Sequence, residues 1–424
     1  MTNKTVYPNK IRLLILPQKE TLATTVFFLF GVGSRYEKKE INGLSHFIEH
    51  MMFKGTKKRP KTVDLSRELD RVGAEFNAMT SKDYTGYYVK INHDKISLAV
   101  DILSDMLLNS VFKNEELNRE RGVIIEEIHM YHDNPLMHIE SLLEEIIYEN
   151  HPLGADIAGP EEVIKKVSRQ QMLNYLSEYY RPDNLVIVVA GRDAEKAKKY
   201  LEKDFIKKFQ RPPLSLDSKF IEFHSEQKAP RVKLNYKETQ QVQMAIGFPA
   251  FGYHDKRAYA MHLLSIILGG NMSSRLFISV RERQGLCYFI RAYPNFYQDA
   301  GNFFIQSGLD ISRFDLALEV IQKELKKIAK SGVSTKELKD AKEFIRGKIV
   351  LNMEDSSNVA EFFGKQELLV GESLTPEQKI KKYFAISSEE VQSVARFLFK
   401  KEKFNLAAIG PFKDEEKIYR QIIL

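Results

Sequence analysis

Five consecutive residues, His46-Phe47-Ile48-Glu49-His50, carry the most chemistry per position in this chain, and they lie inside an apolar-periodic stretch from Leu44 to Phe53. Two histidines at i and i+4 of a helix stand ~40° apart in projection, so both imidazoles can reach one ion. Glu49 precedes the second histidine and sets a carboxylate beside that ion, able to take a proton from an activated water; the order mirrors the H-E-x-x-H zinc helix. With 10 His in 424 residues, the pattern is expected ~0.02 times by chance, which favours a metal helix over two unrelated surface histidines.

A catalytic zinc takes three protein ligands and leaves a fourth position for water. Suitable acids follow Asn114, read as an N-cap, in a segment that continues through Glu115-Glu116-Leu117 to Glu126-Glu127-Ile128. On a helical wheel Leu117, Ile124, Ile128 and Tyr131 form one apolar stripe. Glu120 and Glu127 share its flank, ~20° apart, whereas Glu126 points ~160° away from Ile124. Packed on the histidine helix, this segment can therefore turn Glu127 or Glu120 to the metal, but not Glu126.

These helices need a scaffold, and the sequence supplies it twice. Strand-like runs at Lys10 to Leu16 and Thr24 to Phe30 open the first half, and Asn184 to Gly191 closes it as a buried strand. Val242 to Phe248 and Phe404 to Gly410 repeat the plan. Gly31 and Gly247 differ by 216, Glu116-Leu117 and Glu337-Leu338 by 221, and Gly191 and Gly410 by 219. The expectation is an α+β chain of two homologous domains, each a mainly antiparallel sheet covered by helices. Residues 1–212 form the metal-binding domain, 213–231 a linker rich in proline and polar residues, and 232–424 the second domain. At these offsets His46, Glu49, His50 and Glu127 fall on His262, Ser265, Ile266 and Lys348, so the second domain is expected to bind no metal. There His262 is read as a packing or hydrogen-bonding residue.

Composition narrows the class. A charge of +7 from 64 basic and 57 acidic residues is a mild basic excess that does not call for nucleic acid. The basic loop Lys54 to Lys61 lacks the interleaved aromatics of a stacking platform and reads as solvated. One cysteine, Cys287, excludes an internal disulfide and points to a reducing, cytoplasmic location. The first apolar run is too short for a signal peptide and no stretch has the length of a membrane span, so neither export nor membrane attachment is expected.

The run Gly43-Leu-Ser-His-Phe-Ile-Glu-His-Met-Met-Phe-Lys-Gly-Thr56, followed by Glu120-Arg-Gly-Val-Ile-Ile-Glu-Glu-Ile128, resembles the inverted-zincin metallopeptidases of the pitrilysin, insulin-degrading enzyme and mitochondrial processing peptidase group. The subunit length suits the processing-peptidase branch. The resemblance implies one Zn2+ per chain held by His46, His50 and Glu127, with Glu49 as general base and Glu120 supporting the site from behind the ligands. It also implies that Glu75 to Thr80 is an edge strand to which an extended peptide adds, through Asn77 and Ala78. Arg281 and Tyr288, seven apart after Gly269-Gly270-Asn271, resemble the family pair that holds the substrate carbonyl and stabilises the oxyanion. The implied function is a zinc metalloendopeptidase acting on peptides or unstructured segments in a closed chamber. A chain carrying both the zinc set and the Arg–Tyr pair is expected to act as a homodimer. The rival expectations are a non-catalytic structural or peptide-binding subunit, and the active half of a heterodimer. Cys287, beside Tyr288, is expected to be a small buried residue without chemistry.

Overall fold

Apolar runs become strands, and the computed structural model, which describes residues 3–211 and 219–424, arranges eleven of them in two sheets. The first joins β1 (Asn3–Val6), β2 (Arg12–Pro17), β3 (Ala23–Phe30), β4 (Glu75–Thr80), β5 (Thr85–Asn92) and β6 (Leu185–Gly191) in the order β1-β2-β6-β3-β5-β4. The second joins β7 (Arg231–Tyr236), β8 (Gln241–Phe251), β9 (Cys287–Phe296), β10 (Ala300–Asp310) and β11 (Asn405–Gly410) in the order β7-β11-β8-β10-β9. Residues 213–218 of the expected linker lie outside the described residues.

Helices alternate with these strands: α1 (Leu44–Met52), α2 (Asn114–Asp133), α3 (Pro135–Ile147), α4 (Ala258–Gly269), α5 (Phe314–Ser331), α6 (Thr335–Asn352) and α7 (Ser356–Lys365), among others. The chain forms two compact units. One comprises Met1–Ile128, Ala155–Ile221 and Val350–Leu374; the other comprises His129–Gly154, Glu222–Ile349 and Thr375–Leu424. Among the described residues no helix is long and apolar enough to cross a membrane.

In the first unit β6 is the parallel partner of β2 and the antiparallel partner of β3, and it is buried along its whole length. Such a strand must read as a continuous apolar run, which Leu185-Val-Ile-Val-Val does. Among the described residues β4 pairs only with β5, so it is an edge. Helix α7 lies against β3 and β6. It approaches so closely that a Cβ at Gly364 would sit 2.3 Å from Leu29 Cδ1. Its N-cap, Asp355, accepts from the backbone of Ser357 at 2.8 Å and Asn358 at 3.3 Å and pairs with Lys90 of β5 at 2.7 Å.

The second unit has the same layout. Leaving out β1, both sheets run first, fifth, second, fourth, third in chain order, with the first and fifth strands parallel and the rest antiparallel. The ladders limit the equivalence. Gly191 stands opposite Thr24 and Ile409 opposite Gln243, so Gly410 continues to Val242, and with Gly191 and Gly410 taken as equivalent, at 219, β3 and β8 correspond at 242 − 24 = 218. On that register Gly31 and Gly247 do not coincide: one follows β3, the other sits mid-way along β8. Here α3 packs on β8 and β11 through Ile139, Leu143 and Ile147 against Ala245, Ala407 and Ile409.

Candidate metal centre

The centre is built by α1, α2 and the edge strand β4 of the first unit. Helix α1 is amphipathic: Leu44, Phe47, Ile48, Met51 and Met52 are buried and anchor it, while His46, Glu49 and His50 are on its other face. It begins at Gly43, whose φ of +97° and whose missing Cβ, 2.4 Å from the Ala158 carbonyl oxygen, both demand glycine.

Helix α2 buries Leu117, Ile124 and Ile128, as the stripe predicts, with Glu120 beside them. Tyr131, expected on the same stripe, is 36% exposed; it lies past Ile128, where the first unit's part of the helix ends. Asn114 is the first helical residue rather than the cap, and the Lys113 carbonyl already accepts from Leu117 at 2.9 Å.

Nε2 of His46 and Nε2 of His50 stand 3.1 Å apart, and Glu127 Oε2 is 3.7 Å from the first and 3.5 Å from the second. These donors, one per residue, all lie within 4.8 Å of one another, and among the described residues no other group of three acids, histidines or cysteines does this. Ligands ~2.0–2.2 Å from a tetrahedral zinc stand ~3.3–3.5 Å from each other, so the separations fit a zinc ion. Glu126, one position away, is not in the cluster, as the wheel requires.

His50 Nδ1 lies 2.9 Å from Glu120 Oε1. A carboxylate only accepts, so Nδ1 carries the proton and Nε2 turns its lone pair to the site. Lys54 holds the other Glu120 oxygen at 2.7 Å. Burial pushes the Glu120 carboxyl up, but the hydrogen bonds from His50 and Lys54 outweigh it and leave it below its ordinary value. Burial, then the neighbouring His50, lowers His46 to about 4. It is therefore neutral at pH 7, the form that binds metal.

Burial raises Glu49, although its Oε2 accepts a short hydrogen bond from the Thr80 hydroxyl at the end of β4. A carboxylate raised toward neutrality is suited to a general base. On the same strand Asn77 is exposed and Ala78 buried.

In the second unit Arg281 lies in the helical turn Phe277–Glu282 and Tyr288, the second residue of β9, has 77% of its surface exposed. The two meet: the Arg281 guanidinium carbon is 5.7 Å from the Tyr288 ring centre. Cys287 beside them is buried, and burial raises its thiol. His262 is half-buried, with Nδ1 2.8 Å from the Tyr383 hydroxyl.

Three residues that sequence reading passes over belong to the first unit's centre. They are Thr80 on Glu49, Lys54 on Glu120, and Glu37, whose buried carboxylate closes the start of α1. Glu37 Oε2 accepts from the Gly43 N–H at 2.7 Å and from Asn42 Nδ2 at 3.1 Å, and its Oε1 accepts from the Ser45 N–H at 2.5 Å. Burial raises its carboxyl to about 7, against the pull of those donors. The basic loop beyond α1 is neutralised locally, with Arg59 on Glu68, Asp101 and Asp105 and Lys58 on Asp101.

Comparison with known proteins settles the lineage. Residues 13–161 match insulinase, peptidase family M16, and residues 166–345 match the peptidase M16 inactive domain. The chain belongs to peptidase family M16. It is 36% identical over 403 residues to a Bacillus subtilis protein named an uncharacterized zinc protease, covering 95% of this chain and 97% of that one. It is 32% identical to a Streptomyces coelicolor protein of the same description, covering 97% and 90%. The fold recurs in a protease from Helicobacter pylori, with TM-score 0.91 and 22% identity, covering 97% of this M16 chain and 99% of that one. A putative M16-like peptidase from Alicyclobacillus acidocaldarius shares it with TM-score 0.85 and 21% identity, covering 96% and 98%.

Proposed function

We propose that His46, His50 and Glu127 hold one zinc ion and that Glu49 is the general base of peptide-bond hydrolysis. As a member of family M16 whose relatives carry the name zinc protease, the chain is a zinc-dependent metallopeptidase. The observation that carries the assignment of residues is the convergence of three donor atoms within 4.8 Å, with Glu49 on the same nine-residue helix as two of them. Zinc bound there supplies Lewis-acid polarisation and activates water.

The protein's own groups do the rest. Glu49 takes a proton from the attacking water onto a carboxylate oxygen and delivers it to the leaving amine, with Thr80 fixing the carboxylate's orientation. Glu120 keeps His50 in the tautomer that binds metal. An extended peptide pairs with the free edge of β4 at Asn77 and Ala78, main chain to main chain, which gives affinity with little dependence on sequence. Tyr288 and Arg281 donate to the carbonyl oxygen as it gains charge.

We read the substrates as peptides or unstructured segments enclosed in a chamber, and the working form as a cytoplasmic homodimer in which Arg281 and Tyr288 serve the partner's zinc centre. Digestion of a mixed peptide library by the purified protein, with and without a chelator, tests the activity. Cleavage that the chelator abolishes and added zinc restores is the expected result. Cleavage indifferent to the chelator contradicts the reading.

A further inference from the structure

His50 and His46 are oriented by different means. His50 is gripped at Nδ1 by Glu120. The Nδ1 of His46 is buried and has no hydrogen-bond partner among the described residues. With its far nitrogen ungripped, the direction of the His46 imidazole depends on where its own backbone is placed. His46 is the third residue of α1, directly after Ser45, so the start of the helix decides that placement.

The start is held by one side chain. Glu37, 4% exposed, spans the opening of α1 and takes the N–H groups of Gly43 and Ser45 on its two oxygens, with Asn42 Nδ2 on one of them. These N–H groups have no partner within the helix. A carboxylate there meets both them and the positive end of the helix dipole. The surroundings make the clamp rigid. The Asn42 side chain also donates to the Asp156 carbonyl at 3.0 Å, Ser45 Oγ meets the Tyr175 hydroxyl at 2.7 Å, and that hydroxyl also reaches the Gly33 carbonyl at 3.3 Å. Helix α1 has nine residues, ~14 Å. A small rotation at its first turn therefore carries over to both imidazoles.

We propose that Glu37 is a positioning residue of the metal centre: by clamping the first turn of α1 it sets the direction of His46, as Glu120 sets that of His50. The proposal rests on the zinc assignment above. Replacing an outer partner of a ligand typically costs ~10–100-fold in metal affinity or activity, and Glu37→Gln should fall in that range. Gln keeps the size but turns an N–H2 toward an N–H. Glu37→Asp keeps the charge but is too short to span both donors, and should fall between Gln and wild type.

The test is the zinc dissociation constant by chelator competition, counted per folded molecule, together with kcat and KM of the fully loaded protein. The expected result is weaker zinc binding and lower kcat in Glu37→Gln with KM within about twofold, and partial recovery in Glu37→Asp. Leu318→Ala, a core truncation on α5 of the other unit, should lower Tm without moving zinc affinity, which separates positioning from general destabilisation. Should Glu37→Gln fail to fold, Glu37→Asp carries the comparison. Zinc affinity equal to wild type in whichever variant folds overturns the proposal and leaves the zinc assignment standing. Wild type that binds zinc no better than His46→Ala overturns both.

Discussion

His50 has Glu120 on Nδ1 and, in the proposed centre, the zinc on Nε2, and this arrangement predicts how the centre fails. Glu120→Gln can present its amide instead of an acceptor to Nδ1 and should weaken zinc binding ~10–100-fold. Thr80→Val removes the only side-chain donor on Glu49 among the described residues and should lower kcat about 10-fold with zinc retained. Tyr288→Phe should leave zinc content unchanged and lower kcat by ~10²-fold, the usual cost of losing one oxyanion donor. Steady-state kinetics beside metal analysis checks all three, and a loss of zinc in Tyr288→Phe would contradict the role given to that tyrosine. The three clustered donors were legible: the histidines by their spacing of four on one helix, and Glu127 by a wheel position it shares with Glu120, between which the family resemblance chose. Glu37, Lys54 and Thr80 were not. Each reaches the centre through tertiary packing, and no periodicity marks a carboxylate nine residues before His46 in an irregular segment.

At the scale of elements, α7 tests whether a cap and an ion pair hold a helix to a sheet. Asp355 caps α7 and pairs with Lys90, and despite some burial these partners lower its carboxyl to about 2. A depressed carboxylate stabilises above its unfolded value of ~3.9 and loses that contribution as the pH falls through about 2. Asp355→Ala should cost ~1 kcal/mol, the usual value of a cap, by urea unfolding at pH 7 and much less near pH 2. An equal cost at both values would contradict the assignment. Glu337 at the start of α6, held to about 2 by Arg275 and by the Ser334 N–H, follows the same sign. The strands β3, β6, β8 and β11 were legible because double-sided burial requires uninterrupted apolar runs. The destinations of α3 and α7 were not: an amphipathic face says that a helix covers a sheet but not which one, and α3 has gone to β8 and β11 while α7 has gone to β3 and β6.

For the whole molecule, two sheets of one topology carry unequal chemistry. The first unit has the three-donor cluster, and the second has the Arg281–Tyr288 pair with its exposed tyrosine. The duplication could be read from repeated strand patterns and offsets, and the ladders add that the register chosen for β3 on β8 sets the register of β6 on β11. If each zinc centre is completed by a partner's Arg281 and Tyr288, activity per chain should fall on dilution as sedimentation shows the dimer dissociating. Mixing a zinc-dead His50→Ala chain with an Arg281→Ala chain should then restore part of the activity. Full activity in a dilute monomer would contradict the dimer.

The central claim is that Glu49 moves the proton while His46, His50 and Glu127 hold the metal. It is tested most directly by measuring zinc content and peptide hydrolysis together in Glu49→Gln. One zinc per chain with hydrolysis abolished is the predicted result. Hydrolysis at the wild-type rate would contradict it.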